Sequence, residues 1–303
     1  MGISRRAFLK YCIGSSALLG LDAVSVGKLS KLLAGTEQMP TVIWMEGSSC
    51  SGCTISLTNL IGDVSDGGPT DVADLLLNYI NLAFGKTLMS AAGEAAIANL
   101  RAAQNGGNFI LVVEGGIPTA FDGMACTVMT EGGIDITMQE VIEELAPMAG
   151  AVICVGACAC SGGIPGADPN PTQVKTVSEL TGIATLNIPG CPPHPDWIAG
   201  TLAAALCGDT PAVDAYGRPT AFYGKTVHSK CPRKPQYELG RFATNFGQEG
   251  RCMASMGCNG PETHADCALR GWNNGHNYCM QSNANCIGCT ENDFPKDRLV
   301  YRD

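Results

Sequence analysis

From His228 to Cys289 the chain carries seven cysteines, with His228 in the first of the cysteine motifs: HSKC at 228–231, RCMASMGC at 251–258, a lone Cys267, and YCMQSNANCIGC at 278–289. Asn, Gly, Pro, Arg and Gln fill the gaps, so this stretch can bury little apolar surface of its own. Thiolates around metal solve that problem, because the free energy of metal binding becomes free energy of folding. Eight ligand-type residues divide into two sets of four, which suits two iron–sulfur cubes. Zinc and disulfides are the competing readings of the same residues. Zinc carries no electrons, and disulfides leave few free thiols, so iron content and thiol titration separate the three.

The earlier cysteines stand at the ends of apolar runs. Thr41–Met45 leads into Cys50 and Cys53, Ala151–Val155 into Cys158, and Ala184–Ile188 into Cys191; a further run, Phe109–Val113, ends at Glu114-Gly115-Gly116. Continuous runs of this length predict buried strands. Helical spacing predicts a helix just after Cys53, mostly helix over 71–103, a helix from Met138 to Met148, a short helix before 184, and one from about Asp196 to Leu206. Strands alternating with helices predict an α/β fold with a parallel sheet covered on both faces. In such a sheet ligands bind at the carboxyl edge, so Cys50, Cys53, Cys158 and Cys191 can converge there on one cluster. The alternative is a redox CxxC beside two buried structural cysteines. Neither G-x-G-x-x-G nor a P-loop occurs, so nothing directly points to a dinucleotide or ATP. Periodicity fades beyond about residue 215, which sets the expected parts as a sheet domain over 40–212 and a largely irregular domain over 213–303.

A net charge of −9 argues against nucleic acid as a partner, since phosphate binding needs a basic face. Residues 1–35 read as an export signal: Ser4-Arg5-Arg6-Ala7-Phe8-Leu9-Lys10 is a twin-arginine signature, followed by an apolar stretch from Cys12 to about Val26. That stretch is interrupted by Ser15, Ser16 and Asp22 and is shorter than the roughly 20 residues of a membrane span. Export in the folded state to the periplasm is the expectation. Folding in a reducing cytoplasm favours metal over disulfides for most of the sixteen cysteines. The mature chain is expected to carry no transmembrane anchor.

Ten motifs, in order and spanning nearly the whole chain, resemble the small, electron-transferring subunit of nickel–iron hydrogenases, including the nickel–iron–selenium branch: RRAFLK, VIWMEGSSCSGC, LVVEGGIPT, VGACACSGGIPGADPNPTQ, IPGCPPHPDW, GRPTAFYG, HSKC, RCMASMGCNGPETHADC, RGWNNGHNYC and NCIGC. The resemblance implies a flavodoxin-like first domain and three iron–sulfur clusters in line. By motif, Cys50, Cys53, Cys158 and Cys191 hold the proximal cluster, and His228, Cys231, Cys252 and Cys258 the distal one. Cys267, Cys286 and Cys289 hold the medial cluster. Many family members carry Pro where this chain has Cys279, and their medial cluster has three irons. A fourth thiolate at Cys279 implies a four-iron medial cluster; if Cys279 is instead a free buried thiol, the cluster has three. Oxygen-tolerant members add two cysteines around the proximal cluster where this chain has Gly52 and Gly163, so a standard four-iron proximal cluster is expected. The resemblance also implies an obligate large subunit holding the nickel–iron centre, and an exported multihaem cytochrome c as electron acceptor. An iron–sulfur subunit of a quinone oxidoreductase, which can share the proximal cysteines, is the runner-up within this chemistry. Cys12 lies in the signal segment, Cys154 and Cys207 read as small buried hydrophobes, Cys126 as a non-ligand, and Cys160 as a neutral thiol beside Cys158.

Overall fold

A computed structural model describes residues 39–62, 69–206 and 211–295. The expected signal segment over 1–35, Cys12 and Cys207 lie outside the described residues. The strands are β1 (Thr41–Glu46), β2 (Asn81–Gly85), β3 (Phe109–Glu114), β4 (Ile117–Pro118), β5 (Thr127–Glu131), β6 (Ile134–Thr137), β7 (Ala151–Val155), β8 (Val174–Lys175) and β9 (Leu186–Ile188). Among the described residues the helices up to residue 206 are α1 (Gly52–Thr58), α2 (Val72–Asn78), α3 (Gly93–Gly106), α4 (Met138–Leu145), α5 (Ala157–Ser161), α6 (Val177–Thr181) and α7 (Pro195–Leu206).

Five strands form one parallel sheet in the order β2-β1-β3-β7-β9. Its central strands are buried on both faces, which is why they read as continuous apolar runs rather than alternating ones. Val42, Trp44, Ile110, Val112, Ile153 and Val155 point into one core with Leu57 of α1 and Trp197 and Leu202 of α7. Ile43, Met45, Leu111, Val113, Val152 and Cys154 point into the other, against Leu100 of α3 and Val141, Ile142 and Leu145 of α4. A capping box starts α4, in which Thr137 and Glu140 satisfy each other's free backbone amides. The chain steps from β1 outward to β2 and then back past it to β3. The β1–β3 junction is therefore the switch point where a doubly wound sheet opens a crevice at its carboxyl edge.

The mostly helical reading of 71–103 holds for α2 and α3, but it missed the edge strand β2 between them. β2 pairs only with β1 and is buried only at Phe84 and Gly85, so it lacks the uniform apolar run that marks its inner neighbours. The antiparallel β5–β6 hairpin and the one-turn helix α5, which carries Cys158, also escaped the sequence reading.

Beyond residue 211 the backbone is turns, single bridges and short helices: α8 (Thr220–Tyr223), α9 (Lys234–Glu238) and α10 (Cys267–Arg270). The core on the α7 face nevertheless runs on without a break into Phe222, Tyr223, Met253, Tyr278 and Met280. Trp197 stitches the two parts: its ring contacts Tyr223 at 5.2 Å and Trp272 at 6.0 Å, and Nε1 donates to Asp266 Oδ1 at 2.8 Å.

Candidate metal centre

All fourteen described cysteines are free thiols. Cys50 lies in the loop after β1, Cys53 on α1, Cys158 on α5 directly after β7, and Cys191 just after β9. The fold thus gathers four thiols from three distant loops at the carboxyl edge of one sheet. They act on each other: the pKa of Cys53 is pushed far up by burial, with the Glu114 carboxylate and the thiols of Cys158, Cys160 and Cys50 adding to the rise. Cys158 is pushed up to about 11, by burial first and then by Cys191, Cys50 and Glu114. Room for this approach comes from Gly156, where any Cβ would stand 2.4 Å from Cys53 Sγ.

Glu114, fully buried at the end of β3, holds the CxxC turn in place. Its carboxylate accepts from the amides of Cys53 and Thr54 at 3.0 Å, Ser49 Oγ at 2.9 Å, Trp44 Nε1 at 3.2 Å and the Thr54 hydroxyl. Opposite it in the β1–β3 register, Glu46 accepts from Ser51 Oγ at 2.8 Å and Thr87 Oγ1 at 2.9 Å. Neither carboxylate was singled out from sequence. The available signal was an acid closing a wholly apolar run, as in FILVVE, where burial demands a full set of donors.

In the C-terminal part, Cys267, Cys279, Cys286 and Cys289 form a second assembly. Burial pushes Cys267 up to about 12 and Cys286 up to about 11, and Cys279 adds to both. Cys289 is driven higher by burial, then by Cys267, Cys286 and Cys279. A third assembly holds Cys231, Cys252 and Cys258; burial raises Cys252, and the other two thiols contribute. His228 joins it through the backbone, with His228 N donating to Gly260 O at 3.0 Å and Cys231 N to His228 O at 3.2 Å. The His228 ring rests edge-on against Tyr237 at 4.8 Å. Burial, helped by Lys234, lowers its pKa and so favours the neutral imidazole, the form that ligates metal. The three assemblies adjoin in a row: the Cys191 backbone hydrogen-bonds the Cys289 sulfur, Cys258 Sγ lies 3.9 Å from Met280 Sδ, and Tyr278 Oη donates to Cys231 Sγ at 3.4 Å.

His194, missed from sequence, ties the proximal loop to the C-terminal part. It is buried, its Nε2 lies 2.8 Å from Gly271 O, and its Nδ1 accepts from Asp196 N at 3.1 Å. Arg270 closes the same junction on Asp196 at 2.9 Å and Asp266 at 2.6 Å.

Among the described residues no three His, Cys, Asp or Glu side chains are arranged to hold a single metal ion. The thiol sets fit a larger group. Each set suppresses its own ionisation by burial and like charge, and a cationic cluster reverses that balance because coordination deprotonates the thiols. A cube also spreads its four thiolates further apart than one tetrahedral ion does.

Comparison with known proteins joins these observations. The family described as the C-terminal part of the NiFe/NiFeSe hydrogenase small subunit matches residues 223–301, and that described as NADH ubiquinone oxidoreductase, 20 Kd subunit, matches residues 50–205. The chain is 41% identical to the periplasmic [NiFeSe] hydrogenase small subunit of Desulfomicrobium baculatum, covering 99% of both. It is 38% identical to the periplasmic [NiFe] hydrogenase small subunit of Solidesulfovibrio fructosivorans, over 97% of this chain and 90% of that one. The solved [NiFeSe] hydrogenase of Desulfovibrio vulgaris Hildenborough superposes with a TM-score of 0.79 at 39% identity, covering 87% of this chain and 97% of that chain.

Proposed function

Because the chain belongs to the small-subunit family of NiFe and NiFeSe hydrogenases, sharing residues 50–205 with the 20 Kd subunit of NADH ubiquinone oxidoreductase, we propose that it conducts electrons from hydrogen oxidation through three iron–sulfur clusters to an external acceptor. Small subunits of this family carry iron–sulfur clusters and pair with a large subunit that holds the nickel–iron centre. The observation that carries the reading is the run of three adjoining thiol assemblies, from the sheet's carboxyl edge out to His228.

Cys50, Cys53, Cys158 and Cys191 would hold the proximal cluster, Cys267, Cys279, Cys286 and Cys289 the medial one, and His228, Cys231, Cys252 and Cys258 the distal one. When bound, the clusters supply one-electron carriers. The chain's own part is to set their surroundings. Glu114 fixes the CxxC turn, burial around Cys267, Cys286 and Cys289 excludes water, and Tyr278 and Thr263 place hydroxyls at 3.4 Å from Cys231 and Cys286. The neutral imidazole of His228 takes one negative charge fewer to its cluster than a thiolate does. Residues 40–212 and 213–303 serve as the proximal part and the outer part of this relay. We place the protein in the periplasm, exported folded by the twin-arginine route, with a multihaem cytochrome c as acceptor. The relatives are named periplasmic, and no described helix is long and apolar enough to cross a membrane.

The test is the metal and subunit content of the purified complex. The expected result is about twelve irons per small chain, with nickel in a second, larger chain. Electron paramagnetic resonance of the oxidised enzyme should show no three-iron signal, and Cys279→Pro should create one. A strong three-iron signal in the native enzyme, near one spin per molecule, removes Cys279 from the ligand set.

A further inference from the structure

We propose that residues 225–251, the collar around His228, dock an electron-accepting protein through an acidic contact face. The inference rests on the reading of His228 as a ligand of the outermost cluster. Six of the chain's 19 Lys and Arg fall in this short stretch, against two of its 28 Asp and Glu, so the collar is basic on a chain whose net charge is −9. Lys225, Lys230, Arg241 and Arg251 are exposed. Among the described residues only Lys234 of the six cations pairs with a carboxylate, Glu238 at 3.9 Å. Arg233 instead bonds Arg251 O at 3.0 Å and Asn283 Oδ1.

Apolar surface is exposed between these charges. Tyr237, Leu239, Phe242 and Phe246 are 42%, 62%, 39% and 52% exposed. Tyr237 contacts the His228 ring at 4.8 Å and Phe242 at 5.8 Å, so an aromatic path leads from the imidazole to the surface. Exposed aromatic and Arg side chains in one segment are a composition enriched at protein interfaces. An excess of exposed cations on an otherwise acidic molecule is complementary to an acidic partner, which it steers and orients. A membrane surface is the weaker fit, because interfacial binding uses a long amphipathic helix and α9 has five residues.

The test uses the purified heterodimer under hydrogen and two probes of one fold: basic mitochondrial cytochrome c and its fully succinylated, acidic form. Each hydrogen molecule reduces two ferric haems and releases two protons. At about 10 mM ionic strength the acidic form should be reduced about tenfold faster, and the advantage should vanish near 0.3 M salt. Lys225→Glu with Lys230→Glu and Arg241→Glu should reverse the preference, while hydrogen–deuterium exchange at the large subunit and all cluster signals stay unchanged. Equal rates for the two probes, or a salt-independent preference, overturn the proposal. So does sedimentation with phosphatidylglycerol vesicles that the triple variant loses, if no cytochrome preference accompanies it. His228→Cys separates the two layers: a changed outer-cluster resonance without charge preference sinks only the docking proposal, and an unchanged resonance sinks the ligand reading beneath it.

Discussion

Glu114 shows how much of the centre depends on one side chain that binds no metal. Its removal in Glu114→Ala leaves the amides of Cys53 and Thr54 and the Trp44 indole without their acceptor in a buried place. Each orphaned donor costs about 1–3 kcal/mol. The variant should lose at least about 3 kcal/mol of stability and about four irons, read by thermal denaturation and iron assay; full iron content would deny Glu114 its positioning role. Gly163 makes a complementary point. It has φ +51°, and a Cβ there would stand 2.7 Å from Cys158 N, so the proximal loop is shaped for glycine and not for an added thiol. Cys154 yields a pH prediction. Burial pushes it up to about 12 from an ordinary value near 9, so the folded state holds this proton more tightly than the unfolded chain. Its contribution is whole below pH 9 and is lost as pH rises towards 12, by about 1.4 kcal/mol per pH unit. Cys154→Ala should flatten the alkaline limb of the denaturation profile of the metal-free chain; an unchanged limb would mean the thiol ionises freely in the fold.

At the scale of elements, α7 joins sheet and outer part through a single buried ring. Trp197→Ala removes a side chain with no exposed surface that touches His194, Phe222, Tyr223 and Trp272, and should cost about 3–5 kcal/mol. Since both parts share that core, calorimetry should show one transition moving down as a unit; two separated transitions would show that the parts unfold independently. The same elements show what could be read from residues alone. β1, β3 and β7 were legible because strands buried on both faces need unbroken apolar runs, and α7 because its helical spacing is long. β2 was not, since an edge strand needs apolar residues at few positions and the helical pattern around it masks them. The gathering of Cys50, Cys53, Cys158 and Cys191 at one sheet edge was legible because each follows an apolar run that marks a strand end. The carboxylate and histidine that hold those loops were not, because Glu114 and His194 gain their roles only from chain segments 61 and 77 residues away.

At the scale of the whole molecule, the thiols proposed for the proximal cluster lie where a covering second chain is expected. Cys50 and Cys191 are exposed, although the cluster they would share needs shielding from water. Beside them runs a groove of about 450 Å³ whose lining includes Ile55, Ile61, Pro192 and Trp272. Ile55 and Ile61 are 54% and 58% exposed together at the rim of the proposed proximal site, apolar surface that a partner chain would bury. This family pairs with a large subunit, and the expected place of contact is this groove, whose lining mixes Ile55, Ile61 and Trp272 with Asn59, Asp196 and Arg270. Ile55→Asp would place an unpaired charge in that buried contact, at several kcal/mol. Size-exclusion chromatography should then show little heterodimer, and hydrogen-dependent dye reduction should fall at least about tenfold, a loss of about 1.4 kcal/mol or more in assembly. Leu77→Asp is the matched control: Leu77 is 73% exposed, on the end of α2 that leads into the amino end of β2, away from the thiols. It should leave assembly intact. Equal heterodimer yields from both variants would move the contact with the large subunit away from the carboxyl edge, and with it the reason for exposing Cys50 and Cys191 there.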